Sequence, residues 1–314
     1  MQINKPELKE YKKSKKLMGN MFEITVVASN EIWANKKIDI AVSEIKRIET
    51  LFTTYNDNSQ INLINKNAGL TAVKVDREVF ELIKRSIKIS SVTDGAFDIT
   101  YGSVDKSLWN FNKNMKSLPD ENIAKESVRL INYKNILLDE ISCTVMLKEK
   151  GMRIGFGGIG KGYAAEKAKA LLKQNGVDNG IVNAAGDLTA WGLQANGKPW
   201  TIGVANPNNT NLPFASLTIS NMAVATSGNY EKFVIINGQK YSHTINPLTG
   251  LPVIGIKSVT IITTNAEIAD AMATPVTILG IHAGLKLINQ MQHIHCIIID
   301  DNNKIFTSKN INLQ

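Results

Sequence analysis

Apolar residues recur along this chain in two rhythms. Residues 22–29, "FEITVVAS", read as a strand. Residues 35–52 then place Ile38, Ala41, Ile45, Ile48 and Leu51 at the three-and-four spacing of an amphipathic helix. The same spacing predicts a second helix over 79–95 and a third over 121–133. The second half turns to strands, at 180–192, 199–205, 216–228 and 257–264, with a hairpin over 232–245 turning at Asn237 and Gly238. Two helical stretches, 265–280 and 282–291, precede a closing hairpin over 296–308. Strands in consecutive runs with helices grouped elsewhere predict an α+β fold with mixed or antiparallel sheets and flanking helices. No internal repeat and no Pro/Gly/Ser-rich linker divides the chain, so one domain is expected over 18–314, behind a basic tail at 1–17.

Composition narrows the function classes. The 314 residues are 43% hydrophobic and 20% charged, enough for a sizeable core. The net charge of +8 owes about half to the first sixteen residues, "MQINKPELKEYKKSKK", with six lysines against two glutamates. The rest is mildly basic and shows no Arg/Lys patch interleaved with aromatics, so a nucleic-acid partner is not expected. Cys143 and Cys296 lie in apolar, strand-like runs without CxxC spacing and read as buried thiols. No window approaches eighteen apolar residues and the start lacks the apolar middle of a signal peptide, so a soluble chain is expected, whether or not an export signal was removed.

Three stretches carry chemistry. Residues 153–172, "RIGFGGIGKGYAAEKAKALL", satisfy both GxGxxG (Gly155, Gly157, Gly160) and GxxxxGK (Gly155, Gly160, Lys161). Neither fingerprint is complete: Gly162 stands where a P-loop needs Ser or Thr, and the nearest strand-end acid, Asp187, falls too late for a dinucleotide fold. What remains is an anion site, with backbone N–H groups opened by glycine, a helix N-terminus from about Lys161 to Gln174, and the Lys161 charge. In "NAEIADAMATPVTILG", Asp270 and Thr274 lie four apart, one above the other on a helix face, a donor pair for a hard cation. Pro275 predicts a kink there. His243 follows a hairpin strand and precedes a turn at Asn246, Pro247, Thr249 and Gly250, and "VNAAGDL" reads as a small-residue strand ending in Asp187. Each feature also has an ordinary structural reading: a tight glycine turn, a capping aspartate, a scaffold histidine.

Taken in order, "MGNMF", "FTTYNDNSQINLIN", "DGAFDITYG", "GFGGIGKGYAAE", "VNAAGDL", "ATSGNYEKF", "SHTINPLTG" and "ADAMAT" resemble the successive landmarks of the ApbE family of FAD:protein FMN transferases, once described as thiamine-biosynthesis lipoproteins. The resemblance runs from about Met18. It implies FAD in the cleft of an α+β fold, magnesium on its pyrophosphate, and transfer of FMN to a Thr or Ser hydroxyl of a partner protein, such as a membrane redox-complex subunit, with release of AMP. By the same resemblance the metal ligands fall on Asp270, Thr274 and the Gly158 carbonyl. Flavin and pyrophosphate contacts fall on Met18, Tyr55, Ala96, Phe97, Asp98, the loop at Gly155, Lys161 and His243. Lys161 is then expected to neutralise charge and His243 to act as base, with Asp187 the second candidate. Two departures stand out: Gly155 replaces an acid common in relatives, and Glu166 replaces the usual aspartate. A periplasmic or cell-surface location is implied by resemblance alone. A magnesium-dependent FAD pyrophosphatase and a non-catalytic FAD-binding protein remain alternatives.

Overall fold

The lysine-rich start of the chain is a strand. In the computed structural model, which describes residues 7–109, 115, 117–205, 213–228, 233–309 and 311, β1 (Lys9–Leu17) pairs antiparallel with β2 (Asn20–Ala28) along its whole length. Met18 and Gly19, both at positive φ, make the two-residue turn that closes a right-twisted hairpin. Residues 9–17 of the expected tail are therefore a strand, and residues 1–6 lie outside the described residues. Lysine ammoniums stay in water while Tyr11 and Leu17 of the same strand pack on the core, so the run of charge concealed a half-buried strand.

The chain continues through α1 (Glu31–Phe52), α2 (Gln60–Lys66), β3 (Val73–Lys74), α3 (Arg77–Val92), α4 (Glu121–Ser127), β4 (Ile136–Asp139), β5 (Thr144–Leu147) and α5 (Gly160–Gln174). Then follow β6 (Gly180–Ala184), β7 (Asp187–Trp191), β8 (Trp200–Ala205), β9 (Pro213–Ile219), β10 (Met222–Gly228), β11 (Phe233–Ile236), β12 (Gln239–Ser242), β13 (Ile256–Thr263), α6 (Ala266–Ile288), β14 (His295–Asp300) and β15 (Ile305–Thr307). Eight strands form one antiparallel sheet in the order β1-β2-β6-β7-β10-β13-β14-β15. The α+β expectation holds.

Both faces of this sheet are covered. Phe22, Ile24, Val26, Val259, Ile261 and Ile298 join α1, α5 and α6 in the main core, whereas Val27, Leu188, Val224, Ile262 and Ile297 point the other way, into a second cluster roofed by the β8–β9 ribbon through Trp200, Val204 and Ile219. Period-two alternation thus sends neighbouring residues to opposite cores.

Several expected elements differ. Residues 180–192 are two strands, because Ala185 and Gly186 both take positive φ and Asn183 Oδ1 accepts the Gly186 N–H, folding a hairpin there. Asp187 accordingly begins β7. Residues 216–228 also divide, near Asn221 with its φ of 55°, between β9 of the two-stranded ribbon and β10 of the large sheet. The third helix stops at Ser127, where Ser127 Oγ donates to the Ala124 carbonyl. Cys143 is half-buried in the turn between β4 and β5 at φ 55°, while Cys296 is buried in β14, where burial pushes its thiol up to about 12. Helix α6 runs through Pro275 and breaks at Gly280 instead, at φ 82° and ψ 174°, values open to glycine. It is also long and apolar enough, by composition, to cross a membrane, against the sequence expectation; here it packs on β10, β13 and α5 with Asp270 buried in the contact.

Because β1 supplies a full edge strand and buries Leu17, removing residues 1–17 should lower unfolding stability by at least about 2 kcal/mol, the worth of one buried leucine, in urea titrations. A free tail would leave the midpoint unchanged.

Candidate functional site

The glycine turn 155–160 is held from several sides. Asn65 of α2 accepts the Ile154 N–H through Oδ1 at 2.7 Å and donates to the Ile154 carbonyl at 3.1 Å, and the Gly155 N–H reaches the Ile99 carbonyl at 2.9 Å. A side-chain carbon placed at Gly155 would sit 3.7 Å from Thr54 Cγ2, one at Gly158 would sit 3.6 Å from the Phe97 ring, and one at Gly160 would sit 3.5 Å from Met18 Cε. The turn is therefore ringed by Met18, the loop at Thr54–Tyr55 and Phe97, three places expected from sequence. Ala96 and Phe97 are buried. The Tyr55 ring is 99% exposed, yet its loop is fastened: Ser59 Oγ donates to the Thr53 carbonyl, and Asn62 Nδ2 to the carbonyls of Thr54 and Asn56. An exposed aromatic on a fixed loop is a ready stacking face.

Where the turn becomes α5, Gly162 meets α6. Its N–H donates to Asp270 Oδ2 at 2.9 Å, and a Cβ there would come within 2.1 Å of the Ala266 carbonyl oxygen, so only glycine permits this approach. One turn further along α5, Glu166 accepts the Ala266 N–H at 3.0 Å, satisfying an orphan donor at the α6 N-terminus. Glu166 thus serves as a cap between helices. Arg85 of α3 clamps the same end of α6 through a two-pronged pair with Glu267, at 2.7 and 3.1 Å.

Two buried carboxylates face the start of α5. Lys161 Nζ contacts Asp187 Oδ2 and lies 3.7 Å from Asp270 Oδ1; the residues are 4% and 6% exposed. Thr274, half-buried, lies one helical turn beyond Asp270. The Gly158 carbonyl, where a regular helix would receive the Gly162 N–H, takes part in no backbone hydrogen bond among the described residues, because that N–H goes to Asp270. Carboxylate, hydroxyl and carbonyl oxygens are the donors a hard divalent cation takes, so these residues are of the type that suits one. Among the described residues no cluster of three or more His, Cys, Asp or Glu exists, so a cation here would complete its shell with water and substrate oxygens.

Asp98 and His243, also expected from sequence, have contrasting surroundings. Asp98 is turned inward: its carboxylate accepts from the Thr100 N–H and hydroxyl and from the Tyr133 N–H, and burial, opposed by those bonds, pushes its carboxyl above the ordinary range. It fixes the segment that carries Phe97 and Ile99. His243 is exposed immediately after β12, in a ribbon separate from the main sheet. Residues Asn229–Lys232 of the "ATSGNYEKF" landmark lie outside the described residues. Beside Asp187, a cavity of about 370 Å³ opens over the small residues of the 185–186 turn, lined also by Asn183, Thr201 and Thr226.

A glycine turn at a helix N-terminus, a lysine set between two buried aspartates and an exposed aromatic on a fixed loop describe an α+β protein built to hold a phosphorylated ligand. The family model for the ApbE family matches residues 18–298. The chain belongs to the ApbE family. It is 32% identical over 300 residues to an FAD:protein FMN transferase of Klebsiella pneumoniae (strain 342), covering 95% of this chain and 92% of that one. To an FAD:protein FMN transferase of Treponema pallidum (strain Nichols) it is 27% identical, covering 97% and 88%. Among solved structures, the ApbE protein of Thermotoga maritima superposes with a TM-score of 0.85 at 31% identity, covering 96% of this chain and 97% of that one. The flavinyl transferase ApbE of Pseudomonas stutzeri shares the fold, with a TM-score of 0.82 at 23% identity, covering 98% and 97%.

Gly162 and the cap at Glu166 escaped sequence reasoning as site-forming residues. The signal was a glycine directly after Lys161, read there only as a failed P-loop position. Gly162→Ala should force α5 from α6 and cost about 1–3 kcal/mol, the range for overpacking, in chemical denaturation. Unchanged stability would mean the two helices do not meet as described.

Proposed function

We propose that this chain is a magnesium-dependent FAD:protein FMN transferase acting on a Thr or Ser hydroxyl of an acceptor protein. The observation that carries this reading is the Lys161 ammonium at the N-terminus of α5, which follows the open Gly158 carbonyl and lies 3.7 Å from the buried Asp270, with the half-buried Thr274 one helical turn beyond. Asp270, Thr274 and the Gly158 carbonyl would hold the cation. When bound, magnesium would neutralise non-bridging pyrophosphate oxygens.

The residues of the chain divide the remaining work. The backbone of the glycine turn and the end of the α5 dipole receive the pyrophosphate, and Lys161 adds a full positive charge where negative charge grows in phosphoryl transfer. Tyr55 offers its ring to the flavin. In the transfer, the acceptor hydroxyl oxygen forms a bond to the FMN phosphorus, the bond from that phosphorus to the AMP oxygen breaks, and the hydroxyl proton passes to a base. We assign that base to His243, whose exposed position leaves it open to an incoming protein. A location outside the cytoplasm, next to a membrane-bound acceptor, is part of the same proposal and rests on the family resemblance.

Two experiments test the roles. Asp270→Asn keeps an acceptor for the Gly162 N–H but removes the charged ligand, and should lower FMN transfer by at least about 10²-fold while the fold persists. Transfer at the wild-type rate with magnesium as the only divalent cation would refute the metal assignment. His243→Ala should lower turnover by about 10²–10⁴-fold and leave FAD affinity little changed. Turnover at the wild-type rate in the variant would take His243 out of proton transfer.

A further inference from the structure

Lys161 and Asp187 carry an inference that rests on the metal reading above and goes past it. Asp187 is 4% exposed, and among the described residues Lys161 is its partner; no other hydrogen bond or ion pair reaches that carboxylate. A buried carboxylate without a partner is strongly disfavoured, so the ammonium is bound there firmly. The same ammonium lies 3.7 Å from Asp270 Oδ1, the oxygen that the Gly162 N–H leaves open. One positive charge is thus shared unequally between two aspartates on different elements: Asp187 at the start of β7 and Asp270 in α6.

We propose that Lys161 is the resident cation at Asp270, that a divalent cation binding there displaces it from that aspartate, and that Asp187 is the positioning residue that retains it. Asp187 then acts through Lys161 and not as a base. The arrangement has two consequences. Cation entry is opposed by a like charge close to the ligand oxygen, and this opposition is limited because Asp187 holds the ammonium on its own side. Once the cation sits at Asp270, the lysine remains beside it at the helix N-terminus, so that two positive centres flank the anion together. Removing Asp187 would free the ammonium to pair fully with Asp270 and close the cation site.

The test reads cation affinity, not turnover. Mn²⁺ binding is followed by the loss of the free-ion EPR signal, with and without FAD and with Mg²⁺ as competitor, in the wild-type protein and in Lys161→Met, Asp187→Asn and the double variant. Replacing both members of a buried pair leaves no lone charge, so the double variant is the one most secure in folding. Lys161→Met should tighten Mn²⁺ binding by about tenfold, from the loss of a unit charge at close range, and Asp187→Asn should weaken it by a similar factor. In the Lys161→Met background, Asp187→Asn should have little further effect. Unchanged or weaker binding by Lys161→Met overturns the proposal. Equal weakening by Asp187→Asn in both backgrounds also overturns it, making Asp187 a direct ligand. Wild-type binding that Asp270→Asn abolishes supports the metal reading by itself; absence of wild-type binding with and without FAD removes that reading and this inference with it.

Discussion

The close approach of α5 to α6 at Gly162 is the constraint on which the site depends. No side chain fits between that residue and the Ala266 carbonyl, and the Gly162 N–H is spent on Asp270 instead of on its own helix. Three results follow from the one contact: Asp270 is brought to the mouth of the glycine turn, the Gly158 carbonyl is left open, and Lys161 emerges between two carboxylates. The large antiparallel sheet supplies the platform, since α5 and α6 both lie on one of its faces and Asp187 rises from its interior strand β7.

Around that contact the chain spends hydrogen bonds on rigidity. Glu166 caps α6, Arg85 and Glu267 fasten the same end to α3, and Tyr163 donates to Glu78, which Arg47 of α1 also grips. The Arg47 hydrogen bond, helped by Tyr163 and opposed by burial, holds the Glu78 carboxyl below its ordinary range. Four helices are thereby tied at the polar end of a core that is otherwise apolar. A phosphoryl-transfer site works mainly by positioning and charge, so fixed supports matter more there than mobile reactive groups.

The local motifs were legible in the sequence because their geometry is local: glycines in a turn, a lysine at a helix start, Asp270 and Thr274 one turn apart. Relations set by chain reversal were less so. The turns at Met18–Gly19 and Ala185–Gly186 use positive φ at Met18 and Ala185, residues that give no turn signal, whereas Asn237–Gly238 gave one and was found. Missing the Ala185–Gly186 reversal placed Asp187 at the end of a strand instead of the start of the next. Its pairing with Lys161, 26 residues away, was invisible for the same reason. Lysines hid β1, and no kink appears at Pro275, whereas the boundary read between the two helical stretches at 280 coincides with the break of α6 at Gly280. The hydrogen bonds that tie Asp98 to Thr100 and Tyr133, the latter 35 residues away, were not legible in the "AFD" run itself.

The fate of the flavin phosphate distinguishes a transferase from a hydrolase or a binding protein. The protein is incubated with FAD, magnesium and an acceptor domain bearing a Thr or Ser flavinylation site, the acceptor is weighed by intact-mass spectrometry, and the released nucleotides are separated. One FMN covalently added to the acceptor for each AMP released is the predicted result. Free FMN and AMP with an unmodified acceptor, or FAD recovered intact, would contradict it.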